Sequence, residues 1–375
     1  MYVHNVGELL RSHGHETAVF SMRYPENIRT EWEKYFPSEV RFHVGSGAYR
    51  AVRRMLGDRE TAKRFNALLD DFRPEVVHLN NVHSYLSPSV GEIAHRRGIR
   101  VVWTLHDYKL LCPRYDCMRN GTEPCEECYG DKRGVLRHGC MKGSLIASML
   151  AYAEAGTWSR ERIESFTDAY ICPSRFMAEK MAQGGFSPEK IKVLHNFIDA
   201  SKCGRDTYDK GDYYCYLGRL SPEKGLRKLI EAANTLPYRL TVIGTGPMSE
   251  ELRGMSGPNI EYAGYRGWED IKELVGKARF CVLPSEWYEN SPLSVIESLC
   301  LGTPVLGARI GGIPELINEG ENGMTFVSGD IDGLRDKIRL MYGTPFDYAG
   351  MARSMQTEYD AAAYYNRLMD IYNPA

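Results

Sequence analysis

Residues 280–302 read FCVLPSEWYENSPLSVIESLCLG, and the order of apolar and breaking residues in this stretch predicts the fold. The opening apolar run predicts a buried strand that ends at Pro284. Ser291 suits a helix N-cap, Pro292 suits the first helical position, and Gly302 is a stop signal. The stretch therefore predicts strand, short loop and helix, the repeating unit of an α/β protein.

Two carboxylates lie on either side of the predicted helix start. Glu289 falls in the loop and Glu297 about a turn and a half into the helix, so both can face a cleft beyond the carboxyl end of the strand. The free N–H groups of the helix start form a natural seat for a phosphate. Carboxylates accept from sugar hydroxyls, so the pattern suggests a sugar nucleotide. Two solvated glutamates on an ordinary strand, loop and helix are the alternative for this stretch alone.

The segments around this stretch repeat its alternation of strand and helix. Strands are predicted at 17–21, 76–79, 101–105, 169–172, 191–194, 213–217, 240–243, 260–262 and 305–307. A long helix is predicted over 143–165, and an amphipathic helix ends at about Tyr372. This alternation indicates parallel sheets with helices on their faces. The polar stretch 195–212 is the best candidate for a linker.

Length and composition favour a two-domain globular protein. The chain has 375 residues, of which 43% are hydrophobic and 26% charged. Its net charge of -2 provides no electrostatic footprint for nucleic acid, which excludes that class of partner. No apolar run approaches the roughly 20 residues of a membrane span, and no signal peptide is recognised. A cytoplasmic location is therefore expected.

Cations and a histidine follow other predicted strands. Arg219 and Lys224 come after the strand at 213–217 and offer a guanidinium fork and a point charge for a diphosphate. Such cations stabilise a leaving diphosphate without a metal. His106 directly follows the strand at 101–105, where a structural hydrogen-bonding role and a functional role are both open.

The sequence GTGPMS at 244–249 raises a dinucleotide-binding alternative. It follows a strand and resembles G-x-G-x-x-G, but Ser249 stands at the third glycine position and Glu261 is the only acidic candidate for a ribose. A dehydrogenase would have no need of Arg219 and Lys224. The sugar-nucleotide interpretation is therefore favoured.

Five of the ten cysteines fall in one short segment. Cys125 and Cys128 have the C-x-x-C spacing of a zinc knuckle, and Cys140 with Cys112 or Cys117 would complete a tetrahedral site. A structural zinc and a group of free thiols are the two interpretations, since disulfides are not expected in a reducing cytoplasm.

Four motifs together resemble the retaining glycosyltransferases of family four: YLGRLSPEKGL, VIGTGP, PSEWYENSPLSVIESLCLGTPVLGARIGGIPELI and HDYKLLCP. The resemblance covers nearly the whole chain, including the E-x7-E spacing. It implies a GT-B fold, in which two Rossmann-like, doubly wound α/β domains with parallel sheets face a cleft. The expected units are an acceptor-side domain at 1–200, a nucleotide-sugar-binding domain at 201–350, and a helix at 351–375 that crosses back to the first domain.

The resemblance also implies a role for each matching residue. Glu289 would contact the transferred sugar and His106 would lie beside the anomeric carbon, as the catalytic pair. Glu297 would hold the ribose, and the cations the diphosphate. The implied set that binds the sugar donor is Arg219, Lys224, Gly244, Asn290, Ser291, Pro292, Leu293 and Glu297.

The implied activity is transfer of a sugar from a UDP- or GDP-linked donor to a glycan or lipid-linked acceptor, with retained configuration and no metal cofactor. Peripheral contact with the inner face of a membrane is left open. Members of this family usually begin with a strand and a glycine-rich loop, which this chain lacks. A miscalled or cropped start is one explanation. The other is a truncated, catalytically impaired protein that binds nucleotide sugars, and this is the alternative function.

Overall fold

The computed structural model describes residues 2–42 and 46–374. Its N-terminal half contains a parallel sheet of four strands and a short antiparallel hairpin. The strands are β1 (Val76–Asn80), β2 (Arg100–Thr104), β3 (Met118–Arg119), β4 (Glu123–Pro124), β5 (Ala169–Cys172) and β6 (Ile191–Val193). The parallel sheet has the order β1-β2-β5-β6, and β3 pairs with β4 inside the cysteine-rich segment.

The C-terminal half contains a parallel sheet of six strands. They are β7 (Tyr213–Leu217), β8 (Arg239–Ile243), β9 (Ile260–Gly264), β10 (Cys281–Leu283), β11 (Val305–Ala308) and β12 (Gly323–Phe326). The order β12-β11-β10-β7-β8-β9 reverses direction between β7 and β10. Such a switch point opens a crevice at the carboxyl ends of the two strands. The sequence analysis missed β12, because four residues that include a glycine carry little strand signal.

Helices cover the faces of both sheets. In the N-terminal half they are α1 (Tyr2–Ser12), α2 (Ser46–Met55), α3 (Arg59–Phe72), α4 (His83–Leu86), α5 (Ser89–Arg96), α6 (Gly134–Arg137), α7 (Leu145–Thr157), α8 (Arg160–Phe166) and α9 (Arg175–Gln183). In the C-terminal half they are α10 (Leu226–Asn234), α11 (Ser249–Met255), α12 (Trp268–Lys277), α13 (Leu293–Cys300), α14 (Ile331–Gly343), α15 (Tyr348–Glu358) and α16 (Ala361–Tyr372). Across the described ranges, no helix combines the length and the apolarity that a bilayer span requires.

The structure corrects one predicted helix and one predicted strand. The long helix predicted over 143–165 is divided into α7 and α8, because the Ser159 side chain accepts a hydrogen bond from the Arg162 N–H and caps a new helix. The strand predicted over 17–21 is not formed. A cavity of about 920 Å³ lies between this segment and β1, so the segment has no neighbouring strand with which to pair.

The last helix of the chain packs on the N-terminal sheet. Tyr364 and Leu368 of α16 are buried in one cluster with Val102 and Ile171 of β2 and β5. Val6 of α1 belongs to the same cluster. The two ends of the chain therefore share one hydrophobic layer against this sheet.

Candidate functional site

A buried ion pair lies at the switch point between β7 and β10. Lys224 ends a short 3-10 turn after β7, and Glu289 lies in the loop after β10. The Lys224 Nζ is 2.6 Å from the Glu289 Oε1, and the two side chains are only 18% and 7% exposed. Ser285 donates a second hydrogen bond to the same oxygen at 2.6 Å. The structure thus brings together a cation and a carboxylate that are 65 positions apart.

Glycines allow the loops of this crevice to approach one another. Gly225 has a φ of +70°, and a Cβ added there would lie 1.9 Å from the Pro284 carbonyl oxygen. Gly244 has a φ of +134°, and its Cβ would lie 1.9 Å from the Gly218 carbonyl oxygen. Any side chain at either position would force the loops apart. Gly244, which was expected to bind the sugar donor, is therefore required for this close backbone contact with Gly218.

The helix start at α13 differs from its prediction. Pro292 is the N-cap, with an extended ψ of 117°, and the helix begins one residue later at Leu293. Ser291, the expected N-cap, makes no side-chain cap. Its hydroxyl is buried and, among the described residues, has no hydrogen-bond partner. A buried hydroxyl of this kind, next to the free N–H groups of the first helical turn, is available to the oxygens of a ligand.

Glu297 lies in the second turn of α13, one turn deeper than the ion pair. Burial raises the pKa of its carboxyl from 4.5 to about 7. The carboxylate form is therefore not fully populated at neutral pH. Hydroxyl groups that donate hydrogen bonds to it would favour ionisation.

His106 lies at the carboxyl end of β2 and is held by two neighbours. Its Nε2 donates to the Asn80 Oδ1 at 2.8 Å, and the ring of Tyr2 packs edge-on at 4.6 Å. Burial lowers its pKa to about 4, so the imidazole is neutral at pH 7 with its lone pair on Nδ1. Asn80 was not predicted; its position at the carboxyl end of β1, the strand next to β2, is the signal that would have found it.

Arg219 is not part of the buried ion pair. Its side chain is exposed, and its carbonyl oxygen accepts a hydrogen bond from the Tyr216 hydroxyl at 2.8 Å. The backbone is thus fixed while the guanidinium remains at the surface of the crevice.

The loop that carries Glu289 also contacts the N-terminal half. The Asn290 side chain donates to the Leu105 carbonyl oxygen at 3.0 Å and accepts from the Ser174 hydroxyl at 3.0 Å. The Asn196 side chain donates to the Ser291 carbonyl oxygen at 2.8 Å. Asn290 and Ser291 therefore join the two halves beside the crevice.

Glu315 makes a further contact between the halves that the sequence analysis missed. Its carboxylate accepts from the backbone N–H groups of Arg175 and Phe176 at 2.7 and 2.6 Å. These are the first N–H groups of α9, where a negative charge is stabilised. An acidic residue just after the glycines of GGIPE, beyond strand β11, is the signal that points to it.

The cysteine segment was predicted either to hold a structural zinc or to consist of free thiols. The Cys112 thiol contacts the thiols of Cys117 and Cys128, and Cys128 in turn packs in one cluster with Cys140. Throughout residues 2–42 and 46–374, no three His, Cys, Asp or Glu side chains are arranged to hold a metal ion. All ten cysteines are free thiols. The structure therefore adds no support for zinc, and the structural zinc stays a prediction.

Comparison with known proteins decides the family. A family model described as Glycosyltransferase Family 4 matches residues 1–202, more than half of the chain. The chain belongs to glycosyltransferase family 4. A second model, described as Glycosyl transferases group 1, matches residues 200–355 of this family 4 chain.

Relatives of the family 4 chain include enzymes of surface polysaccharides. It is 30% identical over 255 residues to O-antigen chain mannosyltransferase B of Escherichia coli, covering 64% of this chain and 60% of the relative. It is 28% identical over 221 residues to the amylovoran biosynthesis glycosyltransferase AmsK of Erwinia amylovora, covering 53% and 54%. The chain spans between 49% and 62% of the length of the first curated relatives that it matches.

The fold of the family 4 chain is GT-B. Anabaena HepE, solved with UDP and glucose, matches with a TM-score of 0.62 at 18% identity, over 92% of this chain and 88% of HepE. Its likeness, with that of other GT-B structures, confirms the predicted fold class of parallel-sheet α/β domains.

Proposed function

We propose that this protein transfers a sugar from a nucleoside diphosphate sugar to a glycan or lipid-linked acceptor in polysaccharide biosynthesis. Transfer proceeds with retained configuration, and the charge of the leaving diphosphate is met by protein cations. The acceptor-side domain is assigned to residues 1–200 and the nucleotide-sugar-binding domain to 201–350. The segment 351–375, predicted as one helix, contains the end of α15 and all of α16, and α16 is assigned the bridge back to the first domain. The observation that carries the proposal is the Lys224–Glu289 pair at the switch point, 2.6 Å apart and buried.

The diphosphate seat in this proposal lies at the start of α13. Lys224 and the exposed guanidinium of Arg219 provide positive charge, while the backbone at 290–293 and the Ser291 hydroxyl, unpartnered among the described residues, provide hydrogen bonds. Gly244 lets the neighbouring loop approach the nucleotide. Before a ligand arrives, Glu289 neutralises Lys224, so binding of a diphosphate competes for the lysine and frees the carboxylate.

The freed Glu289 carboxylate accepts from hydroxyls of the transferred sugar, and Glu297 accepts from the ribose. The neutral His106 imidazole faces the anomeric centre from the other wall, held by Asn80. A phosphate oxygen of the leaving group takes the proton of the acceptor hydroxyl as the acceptor attacks the face from which the diphosphate departs. An oxocarbenium-like sugar requires this dry, closed environment.

Relatives and solved structures support the choice of substrates. HepE was solved with UDP, which makes UDP the first donor nucleotide to test, with GDP as the alternative. The relatives described above build an O-antigen and amylovoran, which supports a glycan acceptor. In the same proposal, the sugar transfer takes place at the inner face of a membrane.

A binding protein without turnover is the second candidate. The observation that favours it is the packing of the Tyr2 ring 4.6 Å from His106, with the imidazole already buried. In that case a nucleotide sugar would bind at the C-terminal sheet, and no transfer or hydrolysis would follow.

A thermal-shift screen of UDP and GDP sugars, followed by turnover assays, tests both candidates. A ligand at a hundred times its dissociation constant stabilises the protein by about 2.7 kcal/mol, which such a screen detects. We expect Glu289→Gln and Lys224→Ala to lower turnover at least about tenfold, since each removes a contact to developing charge.

Lys277→Ala is the matched control, because it removes an exposed lysine that pairs with Glu273 on the surface of α12. Wild-type rates in both site variants would refute the assignment of the site. Binding of UDP with no transfer or hydrolysis by the wild type would favour the second candidate.

A further inference from the structure

The cysteine-rich segment forms an ordered arm on the N-terminal half. The proposed function does not involve it. We call residues 112–140 the cysteine arm. The Cys125 N–H donates to the Cys117 carbonyl oxygen at 2.7 Å, which closes the base of the β3–β4 hairpin. The Arg114 guanidinium donates to the Cys140 carbonyl oxygen at 2.6 Å and joins the two ends of the arm. These contacts hold the arm in one shape.

The cysteine arm contacts the C-terminal half through Glu126, which lies in the turn between Cys125 and Cys128. The Glu126 Oε1 accepts a hydrogen bond from the Tyr288 hydroxyl at 2.8 Å. The same oxygen lies 2.6 Å from the Nζ of Lys180 on α9, a side chain that is 15% exposed. One carboxylate thus connects the arm, helix α9 and the loop between β10 and α13.

The ring of Tyr288 is enclosed by side chains of the N-terminal half. The centroid of the Phe176 ring lies 4.8 Å away and that of Tyr108 6.0 Å away, both in edge-to-face geometry. The Lys180 ammonium lies 5.8 Å from the ring centroid. Edge-to-face and cation–π contacts favour this orientation of the ring, and the hydrogen bond to Glu126 fixes its hydroxyl.

Tyr288 directly precedes Glu289, whose carbonyl oxygen accepts from the Gly312 N–H at 2.7 Å. A displaced Tyr288 ring would therefore move the backbone that places the Glu289 carboxylate. We infer that Tyr288 is a positioning residue, and that Glu126 of the cysteine arm fixes it so that Glu289 meets the sugar only when the two halves are in contact. This inference rests on the proposed function of Glu289.

The test compares Tyr288→Phe and Glu126→Gln with the wild type. Tyr288→Phe keeps the ring and removes the hydroxyl that donates to Glu126. Glu126→Gln keeps the length of the side chain and removes its negative charge. We expect hydrolysis of UDP-glucose at saturation to slow about tenfold, because small misplacements of a reacting group are costly, while the dissociation constant of UDP changes less than about twofold. The double variant should be no slower than the slower single variant, since both act through one contact.

Calorimetric titration with UDP and with UDP-glucose provides a readout that does not depend on turnover. The wild type should bind UDP-glucose more tightly than UDP. In both variants this difference in affinity should be lost. Tyr262→Phe is the matched control, because it removes a tyrosine hydrogen bond of the same 2.8 Å length, to Ser256, away from the loop.

The outcomes separate the inference from the proposed function. If the wild type binds neither UDP nor GDP, nor a sugar of either nucleotide, the proposed function fails; if it binds only GDP, the same variants are compared with GDP and its sugars. If the wild type binds both UDP and UDP-glucose, and the variants still bind UDP-glucose more tightly than UDP and keep the wild-type rate, the positioning role is refuted. If the variants lose UDP affinity and rate to the same extent, and their thermal midpoints fall as well, Tyr288 has only a structural role. This outcome also refutes the positioning role.

Discussion

At the scale of single residues, the charged groups of the candidate site differ in whether a group of opposite charge is buried beside them. Lys224 and Glu289 are buried together, so each offsets the cost of removing the other from water. Glu297 is half-buried, no lysine, arginine or histidine of the described residues forms an ion pair with it, and burial raises its pKa to about 7. One carboxylate thus has a cation of the protein as its partner, while the other is available to a ligand that donates hydrogen bonds.

The pH dependence of nucleotide binding follows from Glu297. In the proposed complex, ribose hydroxyls would stabilise its carboxylate and lower its pKa, so binding below about pH 7 would release a proton. Affinity for UDP-glucose, whose diphosphate has no group that titrates in this range, should therefore rise as the pH increases from about 5.5 to about 7.5 and then level off. Calorimetry in buffers of different ionisation enthalpy measures that proton. The Glu297→Gln variant should show a flat profile, and an equally steep profile in that variant would contradict the assignment.

The same shift predicts a loss of stability with rising pH. The folded-state pKa of about 7 lies above the ordinary value of 4.5. The stability associated with the protonated carboxyl is fully present below about pH 4.5 and is lost as the pH rises through about 7. Thermal midpoints of wild type and Glu297→Gln should therefore diverge over this range, and parallel curves would refute the cause.

At the scale of elements, close backbone contact between loops builds the crevice. The turn after β7 touches the loop after β10 because Gly225 has no side chain to meet the Pro284 carbonyl oxygen. The Lys224 ammonium, one residue before that glycine, lies within 5.0 Å of the Trp287 ring centroid as well as beside Glu289. A change in this turn therefore changes the cation that the site uses.

Gly225→Ala tests this contact. The alanine would bear both a positive φ, which costs roughly 1–2 kcal/mol, and a clash with Pro284. Gly98→Ala is the matched control, because Gly98 has a φ of +73° with nothing within 4 Å of the added Cβ. We expect the thermal midpoint of Gly225→Ala to fall at least about 4 °C below that of Gly98→Ala. Equal midpoints would show that the two loops can separate freely.

At the scale of the whole molecule, hydrogen bonds across the two halves hold the crevice closed. Glu315 accepts two backbone N–H groups at the start of α9, and Asn290 reaches the end of β2. Helix α16 adds a hydrophobic layer on the N-terminal sheet. The closed arrangement therefore depends on a few polar contacts beside the site and on the apolar packing of α16.

Glu315→Gln should open the molecule. The variant loses a charge-assisted interaction worth about 1.5–3 kcal/mol, because its amide group presents a donor to one of the two N–H groups. Small-angle X-ray scattering should show a larger radius of gyration than for the wild type. Glu319→Gln is the control, since Glu319 accepts from the Thr325 N–H within the C-terminal half. An unchanged radius in Glu315→Gln would contradict the role of this contact.

The sequence by itself determined the alternating elements and the family. Apolar strands followed by polar loops with glycine and proline specify β7, β10 and α13, because periodicity and turn chemistry are local properties. The E-x7-E spacing of Glu289 and Glu297 belongs to the same local pattern. Local signals were insufficient for the segment at 17–21, since a strand requires a neighbour that periodicity does not report.

Only the tertiary structure decided which of these groups meet. Lys224 contacts Glu289 across 65 positions, and Glu126 contacts Tyr288 across 162. Five cysteines in one segment suggested a metal site, yet within the described residues no three of them are arranged to hold a metal ion. The physical reason is that sheet order and domain contact are set by burial of apolar surface over the whole chain, and side chains distant in sequence converge only where that packing places them.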